Sequence, residues 1–230
     1  MTSRTGIAIF VKTPGHSPLK TRLAAGIGAA SAQRFHVLAA NAVGAVARKA
    51  QDELPGCVAH WAIAEASALD DPQWANLSRM EQGAGDLGAR MGHVTAALLH
   101  EFDAAVLLGA DTPQITVDDI HAAIGALRSN QHVIGPGDDG GFWLFASRGG
   151  VPARAWSSTP WSQADTAARF CAALGAAPIA HLRKLRDVDR AEDLPQVVAS
   201  LDGLRHPLPE QVRLAQWLRS DSATRCMVRP

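Results

Sequence analysis

Residues 6 to 11, GIAIFV, run apolar without polar alternation and are cut off at once by Lys12, Thr13, Pro14 and Gly15. A strand of this kind has no solvent face, so it belongs in the middle of a parallel sheet covered on both sides. The rest of the chain repeats the theme. Residues 30–50 are Ala-rich with apolar positions at helical spacing, CVAHWAIA from Cys57 reads as a second strand, LSRMEQ as a weak one, and LGARMGHVTAALLHEF from Leu87 as an amphipathic helix. AAVLLG at 104–109 is another buried strand. Thr116, with Asp119 three residues on, opens a helix over 117–130 through a capping box in which Asp replaces the usual Glu or Gln. HVIG, FWLFA and APIAHL supply three more strands, FWLFA being a candidate for antiparallel pairing. A helix follows from near Ala164, and two more close the chain over 194–201 and 208–219, while 11–23 and 64–76 read as irregular. Strands alternating with helices give an α/β fold: a three-layer, mostly parallel Rossmann-like sheet with helices on both faces, in one domain over 1–230.

Charge narrows the partners. Lys plus Arg equals Asp plus Glu at 22 each, so no overall field draws the chain to nucleic acid or to an anionic membrane, and any polyanion must be met by a local cluster. Cys57, Cys171 and Cys226 are odd in number and far apart, which fits neither a disulfide framework nor a structural zinc site, and suits a cytoplasmic protein. The first apolar run is too short for a signal-peptide core or a membrane span, so a soluble, intracellular chain is expected.

In sheets of this class ligands lie beyond the carboxyl ends of the strands. The first such loop starts at Val11, Lys12 and Thr13 and runs through Lys20 and Arg22; it lacks the second glycine of a Walker A loop, but its three cations suit phosphate oxygens. GAGDLG at 83–88 matches G-x-G-x-x-G letter for letter, yet no apolar strand precedes it and Asp86 stands where a pyrophosphate would lie. Two readings remain: a turn whose Gly83 and Gly85 backbone packs on a base or sugar with Gln82 and Arg90 nearby, or a turn that only opens a helix. Asp111 follows a buried strand directly, a position suited to Mg²⁺ or Mn²⁺ against a diphosphate, and equally to an Asx turn. Asp138-Asp139-Gly140-Gly141 and Asp187 with Asp189 add the further oxygens a divalent cation needs, though Asp-Gly also suits a plain hairpin. The nine histidines show no ligand spacing and receive no role. Trp161, after Pro160, is a candidate wall for an acceptor pocket.

FVKTPGHSPLKTRL, QGAGDLGARM, LLGADTP, GPGDDGGFWL, PWSQADT and RDVDRAEDL, in this order over about residues 6–195, resemble the DUF2064 family of glycosyltransferase-like proteins with the nucleotide-diphospho-sugar transferase (GT-A) fold. The resemblance implies that Lys20 and Arg22 face phosphates and that Asp111 binds the metal with Asp189 and Asp187. It also implies that Asp139, Gly140 and Gly141 line the acceptor side. Phe142 stands where the family commonly has Tyr, and Gln163-Ala164 where it is usually Thr-rich. The expected activity is a metal-dependent transfer from a nucleotide-sugar donor to a small-molecule acceptor. Gly109, two residues before Asp111, leaves a single acid where sugar transferases of this fold usually carry D-x-D. That favours the alternative, nucleotidyl transfer from a nucleoside triphosphate to a small phosphorylated acceptor. A non-catalytic nucleotide-binding protein is the third reading.

Overall fold

The computed structural model, which describes residues 3–224 and 228, is built on a seven-stranded sheet. In chain order the elements are β1 (Thr5–Val11), α1 (Thr21–Ile27), α2 (Ala29–Glu53), β2 (Cys57–Ile63), β3 (Ser78–Glu81), α3 (Leu87–Glu101), β4 (Ala104–Gly109) and α4 (Val117–Ala126). They continue with β5 (His132–Pro136), β6 (Phe142–Ser147), α5 (Ala153–Ser158), α6 (Thr166–Leu174), β7 (Ile179–His181), α7 (Leu194–Asp202) and α8 (Pro209–Ser220). The strand order is β3-β2-β1-β4-β6-β5-β7. β6 pairs antiparallel with both β4 and β5, and the other pairings are parallel.

The period-two alternation of side chains divides each strand between two cores. Ile7, Ile9 and Val11 join Trp61, Val106 and Leu108 under α2 and α4. Ala8, Ala62, Leu107 and Phe145 face the other way, under α3, α5 and α6. A third apolar cluster ties α1 and the start of α2 to α7 and α8. The result is the three-layer α/β arrangement expected from the strand and helix alternation. β1 lies between β2 and β4, so the chain leaves it in opposite directions on its two sides and a crevice opens beyond its carboxyl end.

Several boundaries differ from the sequence reading. The segment read as irregular up to residue 23 already contains the start of α1, a short helix that was not anticipated and that Gly28 at φ 81 separates from α2. Residues 64–76 hold two 3₁₀ turns, Ala66–Ala68 and Pro72–Trp74. The helix expected over 117–130 stops at Ala126, and the helix expected near Ala164 begins at Thr166 after a short α5 that was not anticipated. Helices of two turns or fewer carry too few residues for an apolar period to register. The Thr116 capping box is present: Asp119 Oδ2 accepts from Thr116 N at 2.8 Å and Thr116 Oγ1 accepts from Asp119 N at 3.3 Å. Cys57 is buried, Cys171 partly so, and both are free; Cys226 lies outside the described residues. Among the described residues no helix is long and apolar enough to cross a membrane.

Gly44 is where α2 approaches the sheet most closely. A Cβ there would stand 2.5 Å from the ring of Trp61, itself fully buried and packed on Trp74 at 4.9 Å between centroids. Replacing a helical glycine ordinarily gains up to about 1 kcal/mol of helix propensity, but overpacking a rigid ring costs about 1–3 kcal/mol and β-branching erodes the gain. Gly44→Val is therefore expected to lower stability by about 2 kcal/mol in thermal or denaturant unfolding; an unchanged midpoint would mean that Trp61 yields freely.

Candidate functional site

Three strand-end loops are fastened together by one lysine. Lys20 sits just before α1 with φ 47 and ψ 39, a left-handed backbone that a side chain other than glycine rarely adopts and that costs about 1–3 kcal/mol. Its side chain is only 8% exposed; Nζ lies 2.6 Å from Asp111 Oδ2, beyond β4, and also donates to the carbonyl of Val188, beyond β7. Val188 N in turn donates to the Asp111 carbonyl at 3.1 Å. Arg22, two residues further on and 62% exposed, pairs with Asp189 Oδ2 at 2.9 Å. The loop after β5 joins through Asp138, which is bound by Arg186 at 3.0 Å and Lys184 at 3.3 Å. Asp139 instead accepts from Gly141 N at 2.8 Å, and among the described residues no cation pairs with it.

These loops frame a cleft of about 380 Å³ whose polar end carries Arg22, Asp111, Asp139, Asp187 and Asp189. The carboxylates there are not equivalent. Crowding by the protein alone would raise the Asp111 pKa, but the Lys20 charge and the His36 ring outweigh it and hold the carboxyl well below its usual range. Asp187 moves the other way: burial first, then the carboxylates of Asp139 and Asp111, push it up to about 6. Two acids in one cleft with pKa values driven apart are a common mark of a functional site.

The opposite end is apolar, with Phe10, Leu87, Met91, Phe142 and Trp161. Trp161 Nε1 donates to Trp156 O at 3.1 Å, the two indoles stack at 6.3 Å between centroids, and Phe142 meets Trp161 edge-on. Gly140, at φ 87, packs its backbone on the Ala164 carbonyl, where any Cβ would collide.

Of the residues singled out in the sequence, Arg22, Asp111, Asp139, Gly141, Phe142, Trp161, Asp187 and Asp189 line this one cleft, with Lys20 directly behind Asp111 and Gly140 adjoining Gly141. The residues assigned to the nucleotide outside the Lys20 and Arg22 pair stand elsewhere. Val11 is buried in β1. Lys12 Nζ donates to Pro18 O, and Thr13 Oγ1 accepts from Trp74 Nε1 at 3.0 Å. Gln82 is buried, its amide donating to Val11 O and Ala62 O. Gly83 and Gly85 have positive φ before α3, Asp86 caps that helix by accepting from Ala89 N, and Arg90 Nε donates to Gly85 O.

Two contributors carried no motif. His36 is buried on α2, with Nε2 2.8 Å from Lys12 O and Nδ1 3.9 Å from Asp111 Oδ1. A lone histidine inside the apolar stripe Ala32, Phe35, Ala39 and Val43 was the available signal. Glu65 fastens the first loop, accepting from Thr13 N at 2.8 Å and from Ser17 Oγ.

Carboxylate oxygen is the donor chemistry that Mg²⁺ and Mn²⁺ take, and the mutual repulsion felt by Asp187 leaves charge for a cation to balance. Asp187, Asp139 and Asp111 suit such an ion in kind; Asp189, expected in the set, is engaged by Arg22. Among the described residues no three acids, histidines or cysteines already stand in ligand geometry.

The sheet and its helices form the α/β fold seen in solved structures of nucleotide-diphospho-sugar transferase and cytidylyltransferase type. A family model described as "Uncharacterized protein conserved in bacteria (DUF2064)" matches residues 45–163, and the chain belongs to that family. Among solved structures it is similar to a provisionally assigned nucleotide-diphospho-sugar transferase from Desulfovibrio desulfuricans G20, with a TM-score of 0.80 at 22% identity over 98% of this chain and 99% of that one. It is also similar to a 4-diphosphocytidyl-2C-methyl-D-erythritol synthase from Anaerococcus prevotii DSM 20548, with a TM-score of 0.55 at 12% identity over 87% and 96% of the two chains. A CMP:2-keto-3-deoxy-manno-octonic acid synthetase complexed with CTP gives a TM-score of 0.50 at 13% identity over 87% and 99%. No curated protein matches the chain.

Because its folded pKa lies above the ordinary 3.8, Asp187 holds its proton more tightly in the native state, so its contribution favours folding at low pH and is lost as pH rises through about 6. In the presence of a chelator, Asp187→Asn is expected to stabilise the protein by about 2 kcal/mol above pH 6 and by nothing below pH 4. Melting curves across that range check it, and a variant equally or less stable at pH 7.5 would remove the repulsion from the description.

Proposed function

We propose that the protein is a metal-dependent transferase that uses a nucleotide-activated donor, with transfer of a sugar from a nucleotide-diphospho-sugar to a small-molecule acceptor as the first reading. The observation that carries it is the charge arrangement of the cleft. Lys20 offsets Asp111 and Arg22 offsets Asp189, which leaves Asp139 and Asp187 with the charge of one divalent cation. Asp111 and Asp187, joined by Asp189 when Arg22 turns to phosphate, would hold Mg²⁺ or Mn²⁺, whose chemistry is to neutralise donor phosphates as a Lewis acid. Arg22 faces the same phosphates as an exposed fork free to exchange Asp189 for an oxyanion, while Lys20 adds a fixed point charge from behind Asp111. Asp139, held by Gly141 N, orients the acceptor hydroxyl and takes its proton as the acceptor oxygen bonds to the anomeric carbon. The bond from that carbon to the diphosphate breaks, and the nucleoside diphosphate leaves with the electron pair.

A specific observation supports nucleotidyl transfer as the second reading. Gly109 leaves no second acid before Asp111, and two neighbours of similar fold are named as cytidylyl-transferring enzymes. There the acceptor oxygen would attack the α-phosphorus and pyrophosphate would depart.

Nucleoside triphosphates and nucleotide sugars, each with Mn²⁺ or chelator, separate the readings by thermal shift and product detection. A donor at about a hundred times its Kd adds roughly 2.7 kcal/mol. Asp111→Asn is expected to stay folded with a lower melting temperature, because Lys20 is left unpaired, and to lose on the order of a hundredfold in rate, the usual effect of removing one preorganised charge of about 3 kcal/mol. Wild-type turnover in that variant would refute the assignment; nucleotide binding without turnover on any acceptor would make the protein a binding module instead.

A further inference from the structure

The apolar half of the cleft is built with more care than a solvent boundary requires. At the first turn of α3, Gly88 has no Cβ, and one placed there would collide with Trp161 Nε1 and with the Trp156 carbonyl. One turn on, Gly92 leaves only 3.0 Å between such a Cβ and the Trp156 ring. The two glycines let both indoles lie flat against the helix, and the Trp161 N–H is satisfied inside the wall, so its ring carries no polar atom into the cleft. Ser162, which follows, is held at φ 62, the second of two left-handed residues other than glycine among those described; Lys20 is the other. Strain of this kind persists where surrounding structure enforces a particular geometry. Leu87, 44% exposed, extends the platform toward solvent, and Phe142 closes it without a hydroxyl.

Charge limits what the platform can receive. Arg22 is the only cation among the described lining residues and is paired with Asp189, whereas four carboxylates line the same cleft. With Arg22 given to the donor phosphates, a phosphorylated or carboxylated acceptor would enter an acidic cleft with no further cation to meet it and rest its ring on a wall with no donor. Ser162 and Gln163 at the rim supply neutral hydrogen-bonding groups only. We infer that the acceptor is an uncharged alcohol with an apolar ring, the ring on Trp161, Phe142 and Leu87 and the hydroxyl toward Asp139. This deepens the transferase reading and rests on it for the word acceptor, but the binding preference itself does not require any transfer.

Saturation-transfer NMR on the full chain with Mg²⁺ tests it, using benzyl alcohol against benzyl phosphate: the same ring, uncharged or dianionic. The alcohol is expected to bind at least tenfold more tightly, and Leu87→Asp to abolish that binding. Position 87 is the first residue of α3, where an aspartate suits the helix dipole, so the fold should persist. Trp161→Leu serves as a second probe of the same wall. Equal or tighter binding of benzyl phosphate, no binding of the alcohol, or binding that survives both substitutions would each overturn the inference. Nucleotide-induced thermal shift is measured on the same wild-type samples. If wild-type protein binds the alcohol but no nucleotide, the transferase reading fails while this one stands.

Discussion

The contact between Lys20 and Asp111 joins everything else in the site. A nearly buried ammonium loses hydration, and the loss is recovered only when good partners surround it. Here they are a carboxylate from the loop after β4 and a backbone carbonyl from the loop after β7, while the lysine itself belongs to the loop after β1. Three segments far apart in sequence therefore cannot relax independently. The left-handed backbone at Lys20 accompanies this reach between two loops, strain that its two partners hold in place. Removing either partner would leave the other charge uncompensated, so the pair acts as a clamp whose halves are individually costly to lose.

Around this clamp the two ends of the cleft are made by different means. The polar end is assembled by ion pairs and by backbone hydrogen bonds between loops, such as Val188 to Asp111 and Asp138 to Leu185. The apolar end is assembled by close approach, with glycines on α3 admitting indole rings and the Gly140 backbone lying against Ala164. Ion pairs can exchange partners when a charged ligand arrives, whereas packed rings on a helix yield little. The polar end thus has the adaptable chemistry and the opposite wall the fixed shape.

How much of this was legible in the sequence depended on the range of the interaction involved. Apolar runs announced β1, β4 and β5, and the residues ending them, Lys20, Arg22, Asp111 and Asp139, announced the cleft, because a strand's carboxyl end fixes where its loop goes. Asp138 and Asp139 looked interchangeable; only the fold brings Arg186 and Lys184 onto Asp138 and leaves its neighbour facing the cleft. The glycine signature at 83–88 misdirected attention for a related reason. Its first glycines serve the turn and Asp86 serves the helix cap, while its last, Gly88, admits a tryptophan 73 positions later in the chain. His36 had no motif to betray it, because its partners are a carbonyl in one loop and a carboxylate in another.

The balance of charge in the cleft also explains why it need not repel a polyanionic donor. Two of its four carboxylates already have cations within 2.9 Å, and Asp138, a fifth nearby acid, is bound by two more. What remains is the pair Asp139 and Asp187, where burial first and then repulsion by the Asp139 and Asp111 carboxylates raise the pKa of Asp187. In the folded protein that repulsion opposes stability, and a site selected for stability alone would have replaced one member with an amide. On the transferase proposal, a cleft that keeps both acids, beside a clamped lysine and an exposed arginine, would receive a cation and a phosphate together. Each ligand then removes the electrostatic obstacle to the other, and such reciprocal help is what couples two binding events thermodynamically.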